Sequence, residues 1–251
     1  MAVHKTQGFV LKKEDVRETS VFLTLYTRDF GKIRLTSKGV RSPEQKFLSA
    51  YELFALDEIV FYERKRKGFF LLSQCELVDY FSAIRESLER ISYAAYFVEL
   101  VDCVTVPLEK NVRLYELLLK SLEFLSGRAS PKRVARIFEI KLLSFLGLMP
   151  RLASCAGCDR ALGKEAPARF SFSSGGVLCE SCFDKDKRAR SVLPGTVNFI
   201  SRIENLPFDK VGQIKVSQKV GSEVERLLKD FINYHLDLKL RTREFIAKVG
   251  V

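Results

Sequence analysis

The chain has 251 residues, 47% of them hydrophobic and 29% charged, a composition typical of a folded globular protein. Its formal net charge of +11 at pH 7 favours a polyanionic partner, nucleic acid before an anionic membrane surface. No apolar run approaches the roughly 20 residues needed to cross a bilayer, and the amino terminus lacks a secretory signal, so we expect a cytoplasmic protein with no membrane partner.

The amino-terminal part shows the alternation of β-strands. Five short runs, separated by turn-like stretches, cover residues 6–12, 20–26, 32–37, 54–63 and 69–77. Five strands within residues 1–80 predict a small closed barrel, of which the five-stranded Greek-key barrel of OB type is the leading form. An SH3-like barrel fits the strand count nearly as well.

From residue 81 onward the hydrophobic period becomes helical. We predict helices over 84–104, 109–125 and 217–236, and the best marked one between the N-cap Ser130 and Gly147, with Pro131 at its first position. Its expected buried face is Val134, Ile137, Phe138, Leu142, Phe145 and Leu146. The chain is therefore expected to be an α+β protein with a barrel domain at 1–80 and a helical domain at 81–251.

Four cysteines form two C-x2-C pairs, and they indicate a metal site inserted at 151–185. Cys155, Cys158, Cys179 and Cys182 have the spacing of a four-thiolate zinc site. A redox dithiol is the alternative, but such a pair normally opens a helix in a thioredoxin-like βαβ unit, which we do not find here. Four protein ligands leave no open position for water, so we expect one structural Zn²⁺. Cys75 and Cys103 are expected to be small buried apolar side chains.

Catalytic machinery is not evident. His4 and His235 lie in no recognisable catalytic spacing, and His235 is expected to be a partly buried packing residue. The phosphate-binding glycine motifs of nucleotide enzymes do not occur in the sequence. The residues therefore predict a protein that is not an enzyme.

Two basic stretches of the predicted barrel are candidates for contacts with a nucleic-acid backbone. Strand alternation places Lys32, Arg34 and Lys38 on one face, with Arg41 just past a glycine. The second stretch, at the hairpin tip between the fourth and fifth strands, is Arg64, Lys65, Arg66 and Lys67. A basic sheet face and a basic loop can follow a single strand in an OB-like barrel. A solvated polar face and tip is the alternative, and Tyr26 and Phe30 are candidates for base stacking.

Three stretches together resemble the RecO family of bacterial recombination and DNA-repair proteins. They are Lys-Gly-Val-Arg at 38–41, the helix 136–150 that runs into Cys155, and Phe-Ser-Phe-Ser-Ser-Gly-Gly-Val-Leu-Cys at 170–179. The resemblance covers essentially the whole chain. It departs at Asp159, where a glycine often follows the second cysteine, and this change is harmless to ligation.

The resemblance implies an N-terminal OB fold, a helical domain and, in many members, a zinc module. It also implies a nucleoid-associated protein that binds single- and double-stranded DNA and anneals complementary strands. With RecR, such a protein helps to load RecA onto DNA coated by single-strand-binding protein.

The resemblance also suggests site residues. Lys38 and Arg41 carry over as DNA contacts, and charge and spacing add Lys32, Arg34 and Lys46. Arg133 and Arg136, on the helix that begins at Pro131, are candidates to edge an apolar groove for the acidic tail of single-strand-binding protein.

Two other functions stay open. A zinc-containing DNA glycosylase would combine helices with a four-cysteine finger, but it would require an N-terminal proline nucleophile, and this chain begins Met1-Ala2-Val3. The other is a zinc-stabilised protein-interaction module whose basic charge is incidental. Strand scission and DNA affinity, respectively, distinguish these two from a recombination mediator.

Overall fold

The computed structural model describes residues 2–17, 20–38, 51–63, 70–163, 166–211, 214 and 216–251. The chain divides into two compact units, residues 1–131 with 240–251, and residues 132–239. The predicted boundary at residue 80 falls inside the first unit, and the predicted metal module at 151–185 falls inside the second. Among the described residues, no helix is long and apolar enough to cross a membrane.

A five-stranded barrel opens the first unit. Its strands are β1 (Val3–Arg17), β2 (Ser20–Thr27), β3 (Gly31–Lys38), β4 (Leu56–Glu63) and β5 (Phe70–Asp79). They close in the order β1-β2-β3-β5-β4, antiparallel except where β3 meets β5 in parallel. This non-sequential order is that of a Greek-key barrel, so the predicted OB-type fold class is confirmed.

The inner face of the barrel is apolar because alternate residues of each strand point inward. The buried cluster includes Val10, Val21, Leu23, Leu25, Ile33, Leu35, Ile59 and Phe61. One carboxyl group is buried as well: Asp57 is 0% exposed, and its Oδ2 accepts the backbone N–H of Tyr51 at 3.1 Å. Burial raises the pKa of Asp57 to about 6.

Eight α-helices occur in the described part of the chain: α1 (Ser82–Arg85), α2 (Leu88–Val104), α3 (Val112–Ser126), α4 (Pro131–Phe145), α5 (Pro194–Asn205), α6 (Phe208–Val211), α7 (Gln218–Leu236) and α8 (Arg241–Val249). The predicted helix at 84–104 is two helices, because Ser87 caps α2 by accepting the N–H of Arg90. Helix α8, in the first unit, was not predicted. Glu99 of α2 accepts the N–H groups of Arg241 and Thr242 at 2.9 and 3.0 Å and so caps α8.

The second unit contains α4 to α7 and a three-stranded sheet. Its strands β6 (Ala168–Ser171), β7 (Gly176–Leu178) and β8 (Arg190–Val192) have the order β7-β6-β8.

Helix α4 ends as the sequence predicts. Gly147 has a φ of 68°, and the N–H of Leu148 donates to the Leu143 carbonyl at 2.9 Å, as in a Schellman motif. The predicted buried face is wrong at Phe145, which is 41% exposed, and at Leu146, which is only partly buried, while Ile140 and Leu143 are buried.

Candidate nucleic-acid interface and metal centre

The outward face of β1, β2 and β3 carries two rows of paired residues. In the first row, Thr24 of β2 lies between Lys12 of β1 and Arg34 of β3. In the second row, Phe22 of β2 lies between Glu14 of β1 and Thr36 of β3. The intervening residues of β2 and β3 fill the barrel core, so alternation directs these six side chains outward. We call this surface the β1–β3 face, made of Lys12, Glu14, Phe22, Thr24, Arg34 and Thr36.

The charged side chains of the β1–β3 face form one connected cluster. The Arg34 guanidinium lies over the Phe22 ring, 4.4 Å from its centroid. Glu14 bridges two cations, with Oε2 at 3.1 Å from Arg34 Nη2 and Oε1 at 3.0 Å from Lys12 Nζ. The hydrogen bond from Lys12, with the charges of Lys12 and Arg34, lowers the pKa of Glu14, so this carboxylate is ionised at neutral pH.

Only part of the predicted basic set can be placed. Arg34 lies on the β1–β3 face, but the ammonium of Lys32 donates to the Asp102 carbonyl at 2.6 Å and to Asp102 Oδ1 at 3.1 Å. The Lys32 side chain is only 15% exposed, so its charge is engaged within the first unit. The backbone of Lys38 pairs with Ser20 at the end of β3. The side chain of Lys38 and the whole of Arg41, Lys46, Arg64, Lys65, Arg66 and Lys67 lie outside the described residues.

The aromatic side chain on this surface is not one of the two expected. Tyr26 is fully buried, and its hydroxyl donates to the Asn111 carbonyl at 3.3 Å, so the expectation that it stacks on bases is wrong. Phe30 packs against His4 and Phe61 with centroid distances of 5.0 and 5.3 Å. Phe22 holds the outward position instead. The alternation of β2 could have identified it, because Phe22 lies between two core residues, Val21 and Leu23.

The second unit brings the four predicted cysteines together. The Sγ atoms of Cys155, Cys158, Cys179 and Cys182 all lie within 4.8 Å of one another, and Cys158 Sγ is 3.7 Å from Cys179 Sγ. A tetrahedron with zinc–sulfur bonds of about 2.3 Å has edges of about 3.8 Å. The four sulfurs can therefore hold a metal ion, and the size of the cluster fits zinc.

The electrostatics of the cluster also favour a bound cation. Burial raises the pKa of the Cys155 thiol, but N–H groups of Cys179 and Gly157, each donating to Cys155 Sγ at 3.3 Å, outweigh it and lower that pKa to about 6. Burial and the neighbouring sulfurs raise the pKa of Cys182 to about 12. Thiols this close cannot all ionise alone, whereas a divalent cation would stabilise four thiolates.

Two glycines allow close packing at the cluster and beside it. A Cβ on Gly157 would lie 3.2 Å from the Sγ of Cys182 and 3.1 Å from Cδ of Lys185, whose ammonium donates to the Gly157 carbonyl at 2.5 Å. A Cβ on Gly176 would lie 2.4 Å from the carbonyl oxygen of Arg151, a distance that backbone atoms do not tolerate. The first cysteine pair and the close pairing of β7 with Arg151 therefore depend on these glycines.

Comparison with known proteins places the chain in a family. Residues 1–81 match the family model described as Recombination protein O N terminal, and residues 85–244 match the one described as Recombination protein O C terminal. The chain belongs to the RecO family.

Relatives named DNA repair protein RecO are similar over nearly their whole length. Those of Moorella thermoacetica, Desulforamulus reducens and Pelotomaculum thermopropionicum are 34%, 33% and 34% identical to this chain over 246, 249 and 250 residues. The matches cover 98%, 99% and 100% of this chain and 91%, 96% and 96% of the relatives.

The two arginines predicted to bind a partner differ in this RecO-family chain. Arg136 is 11% exposed, and its Nη2 lies 3.1 Å from Oε1 of Glu139, which is 0% exposed. A longer contact of 3.8 Å joins Arg136 to Glu225 of α7. Arg136 is thus part of an internal ion-pair network. Arg133 has Nε and Nη2 buried without a hydrogen-bond partner among the described residues, and burial lowers its pKa.

Two smaller expectations are wrong. Cys103 is exposed, whereas Cys75 is buried as expected. His235 is also exposed, although its ring lies 4.2 Å from the Phe231 ring and 5.0 Å from that of Tyr234. Both positions follow the apolar period of their helices, but the surfaces they occupy are left open to solvent.

Proposed function

We propose that this RecO-family chain is a non-enzymatic recombination mediator that binds single- and double-stranded DNA and anneals complementary strands. One observation carries the proposal. On the outward face of an OB-type barrel, the Arg34 guanidinium lies over the Phe22 ring, and Lys12 shares the Glu14 carboxylate with it. The faces of OB barrels at strands two and three are surfaces on which oligonucleotides bind.

The chemistry of the β1–β3 face suits an unpaired strand. A guanidinium plane backed by an aromatic ring can stack on a base of any sequence, and neighbouring cations neutralise phosphates. By their charge, Lys38, Arg41, Lys46 and the run 64–67 are further candidates for phosphate contacts. Two strands whose phosphate charge is neutralised repel each other less, which is the physical requirement for annealing.

Membership of the RecO family also suggests partners. We propose that the chain acts in the cytoplasm, at the nucleoid, with RecR, and helps to load RecA onto DNA coated by single-strand-binding protein. Because Arg136 is engaged internally, Arg133 is the better candidate to contact the acidic tail of that coating protein. The four cysteines would hold one Zn²⁺ that stabilises the second unit and takes no part in a chemical step.

The binding test compares two single-charge variants of the barrel. Arg34→Ala should weaken binding of a fluorescein-labelled single strand. It should also reduce the salt slope, which is the slope of log affinity against log salt concentration, by about 0.7 in magnitude, because the variant releases the counterions of one fewer phosphate. Lys5→Ala is the control: Lys5, on β1, is likewise an exposed cation paired with a carboxylate, that of Glu58, but it does not belong to the β1–β3 face.

Other outcomes would contradict the proposal. Equal affinities and slopes for the two variants would reject the β1–β3 face as the DNA site. No affinity of the wild type at physiological salt would favour an interaction module instead. Scission of a damaged duplex would favour a glycosylase.

A further inference from the structure

We propose that Glu14 competes with DNA phosphates for Lys12 and Arg34 and so accelerates release of the bound strand. This inference rests on the proposed function, because it concerns the same β1–β3 face. It assigns to Glu14 an effect opposite to that of a binding residue: its carboxylate lowers affinity.

The geometry of the cluster carries the inference. Each carboxylate oxygen of Glu14 contacts a different cation, Oε1 the ammonium of Lys12 at 3.0 Å and Oε2 the guanidinium of Arg34 at 3.1 Å. A phosphate group also presents anionic oxygens in pairs, and it binds guanidinium in the same planar manner. Glu14 therefore occupies the position that a backbone phosphate would take between these two cations.

The exposure of the three side chains makes the exchange feasible. Lys12, Glu14 and Arg34 are 55%, 36% and 56% exposed. Ion pairs this exposed contribute little to stability, so a phosphate can replace the carboxylate without unfolding any element. The three groups together carry one net positive charge rather than two, which lowers the attraction for a strand.

The strand register keeps the competitor in place. Glu14 follows Lys12 by two residues on the same face of β1, and it lies directly opposite Phe22, the ring beneath Arg34. A displaced carboxylate therefore stays within reach of both cations at a high effective concentration. When a phosphate dissociates transiently, Glu14 recaptures the cations before the phosphate returns, and the strand leaves sooner.

Such a competitor suits a protein that must release what it binds. An annealing protein holds two strands briefly and then leaves the duplex, so weak, rapidly exchanging phosphate contacts serve it better than tight ones. A different role for Glu14 would be to orient Lys12 and Arg34 for DNA. That role predicts the opposite sign, because removing the carboxylate would then weaken binding.

The test uses the isosteric change Glu14→Gln in the full chain. We expect single-stranded DNA to bind about two- to fivefold more tightly, with most of the change in the dissociation rate measured by stopped-flow chase. The magnitude of the salt slope should rise by about 0.7, since one more net positive charge on the protein releases the counterions of one more phosphate. In an Arg34→Ala background most of the gain should disappear.

Glu58→Gln is the matched control. It removes the same charge from the same barrel, where Glu58 pairs with Lys5 at 2.6 Å. If Glu14→Gln binds no more tightly than Glu58→Gln, or more weakly than the wild type, the competition is refuted even though Arg34→Ala impairs binding. If Arg34→Ala has no effect, or the wild type does not bind DNA, the proposed function fails and the role of Glu14 fails with it.

Discussion

Replacing Arg136 with methionine should strongly destabilise the second unit. Methionine keeps much of the side-chain volume but leaves the carboxylate of Glu139, which is 0% exposed and 3.1 Å away, without its cation. Removing one member of a buried ion pair typically costs about 3–5 kcal/mol. The contact with the half-exposed Glu225 adds little. For a unit of this size such a loss lowers the melting temperature by on the order of 10 °C.

Thermal unfolding followed by far-ultraviolet circular dichroism measures this effect, because the chain has no tryptophan. Lys132→Met is the control: Lys132 is an exposed cation on the same helix, and its loss should stay within about 0.5 kcal/mol. The double variant Arg136→Met with Glu139→Leu should recover most of the stability, since an apolar pair can replace a buried ion pair.

The reasoning is refuted if Arg136→Met melts together with Lys132→Met, or if Glu139→Leu gives no rescue. The first of these outcomes would return Arg136 to the partner-binding role that its sequence position suggests. The prediction therefore separates a structural arginine from a docking arginine by a stability measurement alone.

Three more predictions concern the metal centre and the barrel. Cys155→Ser should abolish stoichiometric zinc, measured by mass spectrometry of the purified protein, and unchanged zinc content would contradict the site. Gly157→Ala should weaken zinc retention against a chelator because its Cβ would lie 3.2 Å from the Cys182 sulfur. Gly163→Ala is the control and should retain zinc, because the atom nearest to its added Cβ would be 3.9 Å away. Burial raises the pKa of Asp57 to about 6 from its ordinary 3.8, so at Asp57 the folded state keeps a proton that the unfolded chain releases. The contribution of Asp57 to stability therefore falls as pH rises from 4 to 6. Asp57→Asn should escape that loss, gaining ~2 kcal/mol on the wild type between pH 4 and pH 7 in urea titrations, and a pH-independent difference would contradict this.

Local sequence patterns were sufficient to predict the barrel and the cysteine cluster. Alternation along β2 and β3 separates core from surface because a strand has a period of two, and it assigned Arg34 to the outer face correctly. The spacing of two short cysteine pairs constrains four sulfurs to one point, and the structure brings them within 4.8 Å. These features depend on residues close together in the sequence.

Long-range contacts explain most of what the sequence could not show. Lys32 has the same strand phase as Arg34, but Asp102, 70 residues away, binds its ammonium. Arg136 is likewise paired with Glu225, 89 residues away, on another helix. Helix α8 has no buried residue, and its amino-terminal N–H groups are capped by the distant Glu99. Periodicity carries no information about such partners.

Annealing of two complementary oligonucleotides, each coated with the cognate single-strand-binding protein, tests the central claim most directly. Fluorescence energy transfer between labels on the two strands reports duplex formation with and without the chain. We predict that the wild type and Lys5→Ala accelerate annealing, and that Arg34→Ala is slower than both at the same salt concentration. Acceleration by Arg34→Ala equal to that of the wild type, or none by the wild type, would contradict the assignment of strand annealing to the β1–β3 face.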